Sequence, residues 1–515
     1  MKKILLFLSI CAIGTNIIAQ DCECYPKEGL YTYYVNMKSD KIGNKFSKDS
    51  LVSILNANKK NSSEKIKYFK EIIKEAKKSF PTAKTKLLKH SITLKSANPN
   101  LDKEFNIFDG EINFIEKICD TKNPLTYEPN DYRIGGSTYC DHLDFIKAPQ
   151  AWEITKGDPR ILIGITDTYI EPTHDEFKYQ ISQILQNSSA QYHGVAVSGC
   201  AAGHTDNNIG MSAVGFNSKI VFSSNWGNVE EVLRIAQIPG VRVINCSWLS
   251  CYPLITEEAA YTEIRDIHNV VVTAGAGNYA TQCGSTTSYV YPASYDAVIS
   301  VTSVGHSNER GTIAPDGSKP LWKDCHESYI GDKVYTFHHN DKVDICAPGY
   351  RVTAPNIGNS YRGDCWGTSF SAPMVAGACA LVASVNPCLT AAQIQNIVVS
   401  AADSSIYNIP ENADYIGKLG KGRLDVYAAV KKALELGTIY VQNKSYSGNY
   451  EESAQTEIKA GYAVTNSMSF GNVVINTGSN VTFKATRNIE LSDGFEVQAG
   501  ATFNAEVNES QCFNN

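Results

Sequence analysis

Four segments carry side chains that could do chemistry together. Asp167 closes the run I-L-I-G-I-T-D, His193 opens H-G-V-A-V-S-G-C-A-A-G, Asn278 closes V-V-V-T-A-G-A-G-N, and Ser369 lies inside G-T-S-F-S-A-P. A serine hydroxyl is a weak nucleophile until a base takes its proton. The base must be oriented, and its cation stabilised, by a carboxylate. The oxyanion formed by attack needs donors, and a side-chain amide is one. The order Asp, His, Asn, Ser, with wide separations, supplies one residue type for each task. Singly, each has a bland reading: a turn Asp, a core or surface His, a capping Asn, a helix-starting Ser. His174 and His204 are rival bases, but neither opens a helix of small residues.

Each of these side chains must be delivered by an element. Asp167 and Asn278 follow apolar runs at the carboxyl ends of strands, where sites form in open α/β sheets. Gly194, Ala196, Gly199 and Ala201 let the helix behind His193 pack closely. Pro373 suits a first helical turn, so Ser371 is expected as the N-cap and Ser369 on the turn ahead of it. The helix that follows is apolar all round (Met374, Val375, Ala376, Ala378, Leu381, Val382) and should be buried, its free N–H groups facing a developing negative charge.

Between about 139 and 436, strand-like runs (161–166, 219–222, 241–245, 269–274) alternate with helical patterns (229–237, 256–267). Continuous Val and Ile runs predict strands buried on both faces of a parallel sheet. The fold class is α/β, a parallel sheet with helices on both faces. A small α+β unit precedes it, with strands at 30–37, 87–94 and 112–118, a helix at 62–79 and a polar linker at 119–136. A small all-β module follows; 466–507 is Gly-punctuated alternation that predicts short stacked strands. The expected domains are 1–19, 20–132 (with the linker), 133–440 and 441–515.

At 515 residues the chain exceeds one domain, and 43% hydrophobic content allows a large core. Lys2, Lys3, an apolar run and Ala19 read as a secretory signal peptide, so the protein is expected to be secreted or held at the cell surface. Of the 15 cysteines, 14 remain once Cys11 leaves with the signal. No C-x-x-C pair occurs, and an even count in an exported chain favours disulfides over metal or redox sites. Residues 21–120 carry 19 Lys and Arg against 14 Asp and Glu, a net +5, while residues 121–515 carry −13 of the overall −6. Nucleic acid is therefore not an expected partner. No stretch of eighteen apolar residues occurs, so no membrane span is expected.

At these segments the chain resembles the subtilisin-like serine proteases. The matches are T-D-T at Asp167, H-G-V-A-V-S-G at His193, A-G-A-G-N at Asn278 and G-T-S-F-S-A-P at Ser369. N-C-S-W (245–248), Y-P-A-S-Y (291–295) and D-I-C-A-P-G (344–349) also match, over roughly 140–436. The resemblance implies a serine endopeptidase acting on protein or peptide substrates. In it Asp167 orients His193, His193 is the base, Ser369 the nucleophile and Asn278 an oxyanion donor. Ser247, Trp248 and Leu249 would form one edge that pairs with the substrate backbone, with the other edge near Asn225, Trp226 and Gly227. Val290 would narrow the base of the primary pocket, favouring small or medium apolar residues.

The resemblance further implies an N-terminal prodomain, similar to the 21–120 segment, that assists folding and blocks the cleft as an intramolecular inhibitor until cut. The tail is similar to short C-terminal β modules of secreted Bacteroidota proteins. No cofactor is implied for the chemistry. Structural calcium belongs to the family, and Glu176 and Asp206 fall near one such site. There are departures. Ala196 stands where the family usually has a second His, 307–341 looks like an insertion near the cleft rim, and Cys246 and Cys251 are placed to bridge across the substrate strand. Two other readings compete: an inactive surface binding protein that kept the fold, and an α/β-hydrolase-type esterase. The esterase needs G-x-S-x-G and a Ser, acid, His order, neither of which occurs here.

Overall fold

The computed structural model describes residues 31–38, 46–57, 62–79, 89–96, 98, 101, 112–118, 127–132, 141–305, 324–326 and 336–508. The signal segment, most of the linker and most of the 307–341 insertion lie outside them. The chain divides into two compact units, Met1–Pro124 and Leu125–Asn515.

The first unit is a four-stranded antiparallel sheet with two helices. Its elements are β1 (Tyr31–Met37), α1 (Lys48–Ala57), α2 (Ser63–Ile72), β2 (Ile73–Lys78), β3 (Ser91–Ser96) and β4 (Ile112–Ile118), with strand order β2-β3-β1-β4. The helix expected over 62–79 stops at Ile72, and the rest is strand. Ile73 and Ala76 bury at a spacing that fits a helix, but pairing with β3 (Ala76 beside Leu94) wins. Local periodicity yields here to sheet formation.

The second unit is built on a seven-stranded sheet. After α3 (Asp141–Phe145) and α4 (Ala148–Ile154) come β5 (Leu162–Thr166), β6 (Ile181–Gln186), α5 (Tyr192–Ala202), β7 (Lys219–Ser223), α6 (Val229–Ala236), β8 (Val241–Cys246), α7 (Ile255–Asp266), β9 (Val271–Gly275), β10 (Val298–Val304) and β11 (Ile345–Pro348). The order is β11-β10-β9-β8-β5-β7-β6, every pair parallel. Chain order reverses direction about β5, which makes its carboxyl end a switch point. Strand residues alternate between two buried faces. Ile163, Ile165, Val243 and Val271 join the core under α5, while Leu162, Ile244 and Val272 join the core under α6 and α7. Both faces are covered, which is why the strands read as continuous apolar runs.

A hairpin, β12 (Val352–Asn356) and β13 (Ser360–Cys365), leads into α8 (Thr368–Val385). This helix is long and apolar enough to cross a membrane, with mean hydropathy 1.5, but 94% of it is buried, as befits a core helix. Two more helices, α9 (Ala391–Ser400) and α10 (Val426–Gly437), pack beside it.

The chain then enters nine short strands, β14 (Ile439–Val441), β15 (Lys444–Tyr446), β16 (Asn449–Ala454), β17 (Glu457–Ala460), β18 (Val473–Ile475), β19 (Asn480–Ala485), β20 (Asn488–Leu491), β21 (Phe495–Val497) and β22 (Thr502–Val507). They form three parallel three-stranded sheets, β14-β17-β20, β15-β18-β21 and β16-β19-β22. This is a three-coil parallel β-helix. Arg487 anchors it to the α/β body by donating to the Ile154 carbonyl at 2.9 Å.

Candidate active site

Asp167 sits one residue past β5, whose five residues are all buried. Its own N–H donates to Ser223 O at the end of the neighbouring β7, which fixes where the side chain leaves the sheet. The carboxylate is 2% exposed, and Oδ1 accepts from the Thr168 N–H at 2.7 Å and from His193 Nδ1 at 2.8 Å. A carboxylate partner places the proton on Nδ1, so Nε2 is the end that can act as a base. Burial works to lower the imidazole pKa, but the charge and hydrogen bond of Asp167 outweigh it, and the net shift is upward from 6.5.

His193 is the second residue of α5, and Gly194 is what lets it reach Asp167. A Cβ at Gly194 would lie 2.4 Å from Tyr169 O and 3.2 Å from Asp167 Cβ. The Gly194 N–H also donates to Thr168 Oγ1 at 3.1 Å, tying the helix start to the β5 loop. Ala196 is fully buried in the core behind it.

Ser369 lies in the first turn of α8. The helix begins at Thr368 with Gly367 as its N-cap at φ 137°, a conformation that favours glycine. The expected N-cap at Ser371 is corrected by four residues, to Gly367. Ser371 does not cap; its hydroxyl is buried against Ser303 Oγ at 2.7 Å and Pro348 O at 2.8 Å. Pro373 falls inside the helix and has no N–H to give to the carbonyl four residues back, that of Ser369. Ser247 Oγ donates to that carbonyl instead, at 2.9 Å. Ser247 in turn accepts from Asn245 Nδ2 at 2.9 Å, and Asn245 Oδ1 accepts from Thr273 Oγ1 at 3.1 Å. A buried polar chain thus runs from β9 through β8 to the first turn of α8. The Ser369 hydroxyl donates to Ser247 O at 3.5 Å. No hydrogen bond joins it to His193 among the described residues. The two segments are nonetheless neighbours, since the His193 and Phe370 rings lie 5.9 Å apart. Such bonds are often long before substrate arrives.

Asn278 closes the group from three residues beyond β9. Its Oδ1 accepts the Thr368 N–H at 2.9 Å and the Thr368 hydroxyl at 3.3 Å. An N–H can only donate, so Oδ1 is the end turned to α8 and Nδ2 is left to donate elsewhere. Asn278 Nδ2 and the Ser369 N–H therefore belong to one junction.

The proposed substrate edges differ from each other. Ser247 to Leu249 extend from β8 and end in a bridge between Ser250 and Tyr291. Ser247 is 7% exposed, and Trp248 donates its indole N–H to Thr166 Oγ1 at 2.9 Å. Asn225 to Gly227 are not a strand; they turn into α6, with Gly227 at φ 73° and Trp226 53% exposed. Val290 is 1% exposed, inside the core of α6 and α7. Cys251 does not pair with Cys246. It bonds Cys283, while Cys246 stays a buried thiol beside Thr166, because β8 turns its side chain into the core.

The acidic corner is also rearranged. Glu176 is buried, its Oε1 accepting from Tyr361 at 2.8 Å and from the Met211 N–H at 3.1 Å. Its Oε2 has no partner, and burial raises the carboxyl to about 8. Asp206 is not beside it. Asp206 accepts from Tyr127 at 2.5 Å and the Asn130 N–H at 2.9 Å. The second buried carboxylate facing this corner is Asp131, which accepts from Ser212 Oγ at 2.5 Å. Among the described residues no group of three or more His, Cys, Asp or Glu is arranged to hold a metal ion.

Residues 158–419 match the model of the subtilase family. The chain belongs to the subtilase family of serine-type endopeptidases. It is 29% identical over 302 residues to subtilisin DY of Bacillus licheniformis, covering 56% of this chain and 97% of that protein. It is 27% identical over 371 residues to a thermophilic serine proteinase of Bacillus sp. (strain AK1), covering 65% and 80%. Among solved structures it is similar to a protease of Pseudoalteromonas arctica PAMC 21717, at 22% identity and a TM-score of 0.45, covering 60% of this chain and 100% of that one. The subtilase match ends before the β-helix.

Sequence reasoning missed the places of Asn245, Thr273 and the Thr368 N–H. N-C-S-W drew attention to Ser247, but nothing in the order of residues tells that Thr273, on the next strand, supports it through Asn245.

Proposed function

We propose that this subtilase is a secreted endopeptidase, made as a zymogen, that cuts peptide bonds with Ser369 as nucleophile, His193 as base and Asp167 as its orienting carboxylate. The observation that supports this most is the 2.8 Å Asp167–His193 hydrogen bond, with Nε2 turned away from it and the first turn of α8 alongside. In the reaction, Ser369 Oγ bonds to the scissile carbonyl carbon while its proton passes to His193 Nε2. The carbonyl oxygen becomes anionic and takes hydrogen bonds from Asn278 Nδ2 and the Ser369 N–H. His193 then gives the proton to the leaving amine as the C–N bond breaks. Water, deprotonated by His193, releases the acyl group by the same steps.

The substrate would add as a strand along Ser247 to Leu249, main-chain bonds giving affinity and a primary pocket narrowed by Val290 giving preference for small or medium apolar residues. Residues 20–132 would act as the inhibitory prodomain. Their basic balance against an acidic body supports an electrostatic share in that inhibition. Calcium is a candidate for the Glu176 and Asp131 corner, where a cation would satisfy the unpartnered Oε2. The test is Ser369→Ala. Wild type should cleave peptides and lose its N-terminal segment; the variant should do neither and keep residues 20–132 by mass spectrometry. Peptide cleavage by the variant would refute the assignment.

A further inference from the structure

On the reading of Asn278 as oxyanion donor, its side chain is held by Thr368, but its backbone needs a holder too. β9 ends at Gly275, so no regular strand fixes residue 278. Two things do. On one side the segment at Phe337 makes an isolated bridge, with His338 N–H to Gly277 O at 2.9 Å and Tyr279 N–H to Thr336 O at 3.2 Å. On the other side the Asn278 N–H donates to Gln282 Oε1 at 2.7 Å, a side chain on the loop that leaves the site.

That loop is not held by regular structure. Tyr279 and Cys283 both have left-handed backbones, φ 60° and 56°. Non-glycine residues keep such conformations only where the surroundings impose them. At Tyr279 the surroundings are the backbone bond to Thr336 O and the tilted ring of Trp366, centroids 4.5 Å apart, one residue before Gly367. At Cys283 it is the disulfide to Cys251, which directly follows the substrate edge at Ser250. Gln282 stands between these two fixed points.

We infer that Gln282, pinned by the Cys251–Cys283 disulfide, is a positioning residue that sets the oxyanion donor Asn278. The disulfide joins the exit of the substrate edge to the loop that carries Gln282. Opening it frees the left-handed turn at Cys283, and the Gln282 acceptor leaves the Asn278 N–H. The donor then drifts relative to the Ser369 N–H. Misplacement by about 1 Å costs on the order of 100-fold in rate, so a partial drift is expected to cost about tenfold or more in kcat. KM should change little, because the donor matters most to the charge that appears in the transition state.

The experiment is a cycle on the secreted enzyme. Gln282→Met and the double change Cys251→Ser with Cys283→Ser are each measured alone and in an Asn278→Ala background. Each should lower kcat about tenfold with KM within about twofold, and each should cost nothing further once Asn278 is alanine. Losses that multiply with that of Asn278→Ala would overturn the inference, because the effect would then not pass through the donor. So would an unchanged kcat in Gln282→Met. Asn278→Ala without loss of kcat, or Ser369→Ala with full activity, would instead refute the underlying reading of the site. Thermal unfolding of the Cys variants separates lost stability from lost positioning, since Gln282→Met leaves the disulfide in place.

Discussion

Ser247 and Ser369 bond each other in both directions. Ser247 Oγ donates to Ser369 O at 2.9 Å, and Ser369 Oγ donates to Ser247 O at 3.5 Å. One residue belongs to the proposed substrate edge and the other to the turn of the proposed nucleophile, so the pair locks these two segments together. The lock exists because Pro373 leaves the Ser369 carbonyl without its helical partner. The helix start is irregular where the proposed chemistry needs a fixed serine.

Ser247→Ala should therefore leave a partly buried carbonyl unsatisfied, at a cost of about 1 kcal/mol. Part of it should appear as a lower midpoint of thermal unfolding and part as a lower kcat. Pro373→Ala restores an N–H that can serve the same carbonyl. In that background Ser247→Ala should cost distinctly less. Equal losses in both backgrounds, by unfolding and by steady-state kinetics, would show that Pro373 does not create the need for Ser247.

The pH dependence follows from Asp167. Its charge raises the His193 pKa above 6.5, and only the neutral imidazole is a base. Activity should rise with pH through an inflection above 6.5 in kcat/KM. Asp167→Asn removes the charge and the tautomer control. Its inflection should move down, and its kcat should fall by about 10⁴, the loss already known for this change in serine proteases. An inflection that does not move would mean that another group controls the profile.

Stability should depend on pH in the opposite sense to that of a salt-bridged acid. Burial raises Glu176 from 4.5 to about 8, so the folded state binds a proton that the unfolded state releases. Stability from this group is fully present below 4.5 and is lost as pH rises through 8. Asp131 shifts in the same direction, again through burial first. Without calcium, the unfolding midpoint should fall between pH 5 and 9, and Glu176→Gln should flatten that fall. Added calcium should raise the midpoint most near pH 9, where Glu176 is charged, and should do so less in the variant. No calcium effect at pH 9 would refute the proposed cation site.

What could be read from the sequence was what shows as a local pattern. Asp167 and Asn278 each followed an apolar strand run, and His193 opened a run of small residues. The sheet strands showed as Val and Ile runs because both faces are covered. Contacts between distant segments were not readable. Ser371 looked like a cap because Ser before Pro usually is one; here a tertiary partner, Ser303, takes the hydroxyl and the helix starts earlier. The expected Cys246–Cys251 bridge failed because strand alternation turns Cys246 into the core, while Cys251 lies past the strand end, free to reach Cys283. Gln282 has no motif at all; only the fold of its loop brings it to Asn278.

The β-helix gives a last prediction. It continues directly from α10, and the links between its coils hold it to the catalytic body. Thr456 Oγ1 donates to Leu434 O at 2.8 Å, and Arg487 donates to Ile154 O. A Cβ at Gly437 would lie 2.5 Å from Thr456 Cγ2, so the second coil packs hard on the end of α10. None of these contacts touches Asp167, His193 or Ser369. Ending the chain at 438 should therefore lower thermal stability while leaving kcat and KM on a short peptide near wild type. Arg487→Ala should give a smaller loss of the same kind, about 1 kcal/mol for the partly buried carbonyl left unpaired. A truncated enzyme with wild-type stability would show that the module is only carried by the body. One with wild-type stability on heating but a changed KM would place the module's role at the substrate instead.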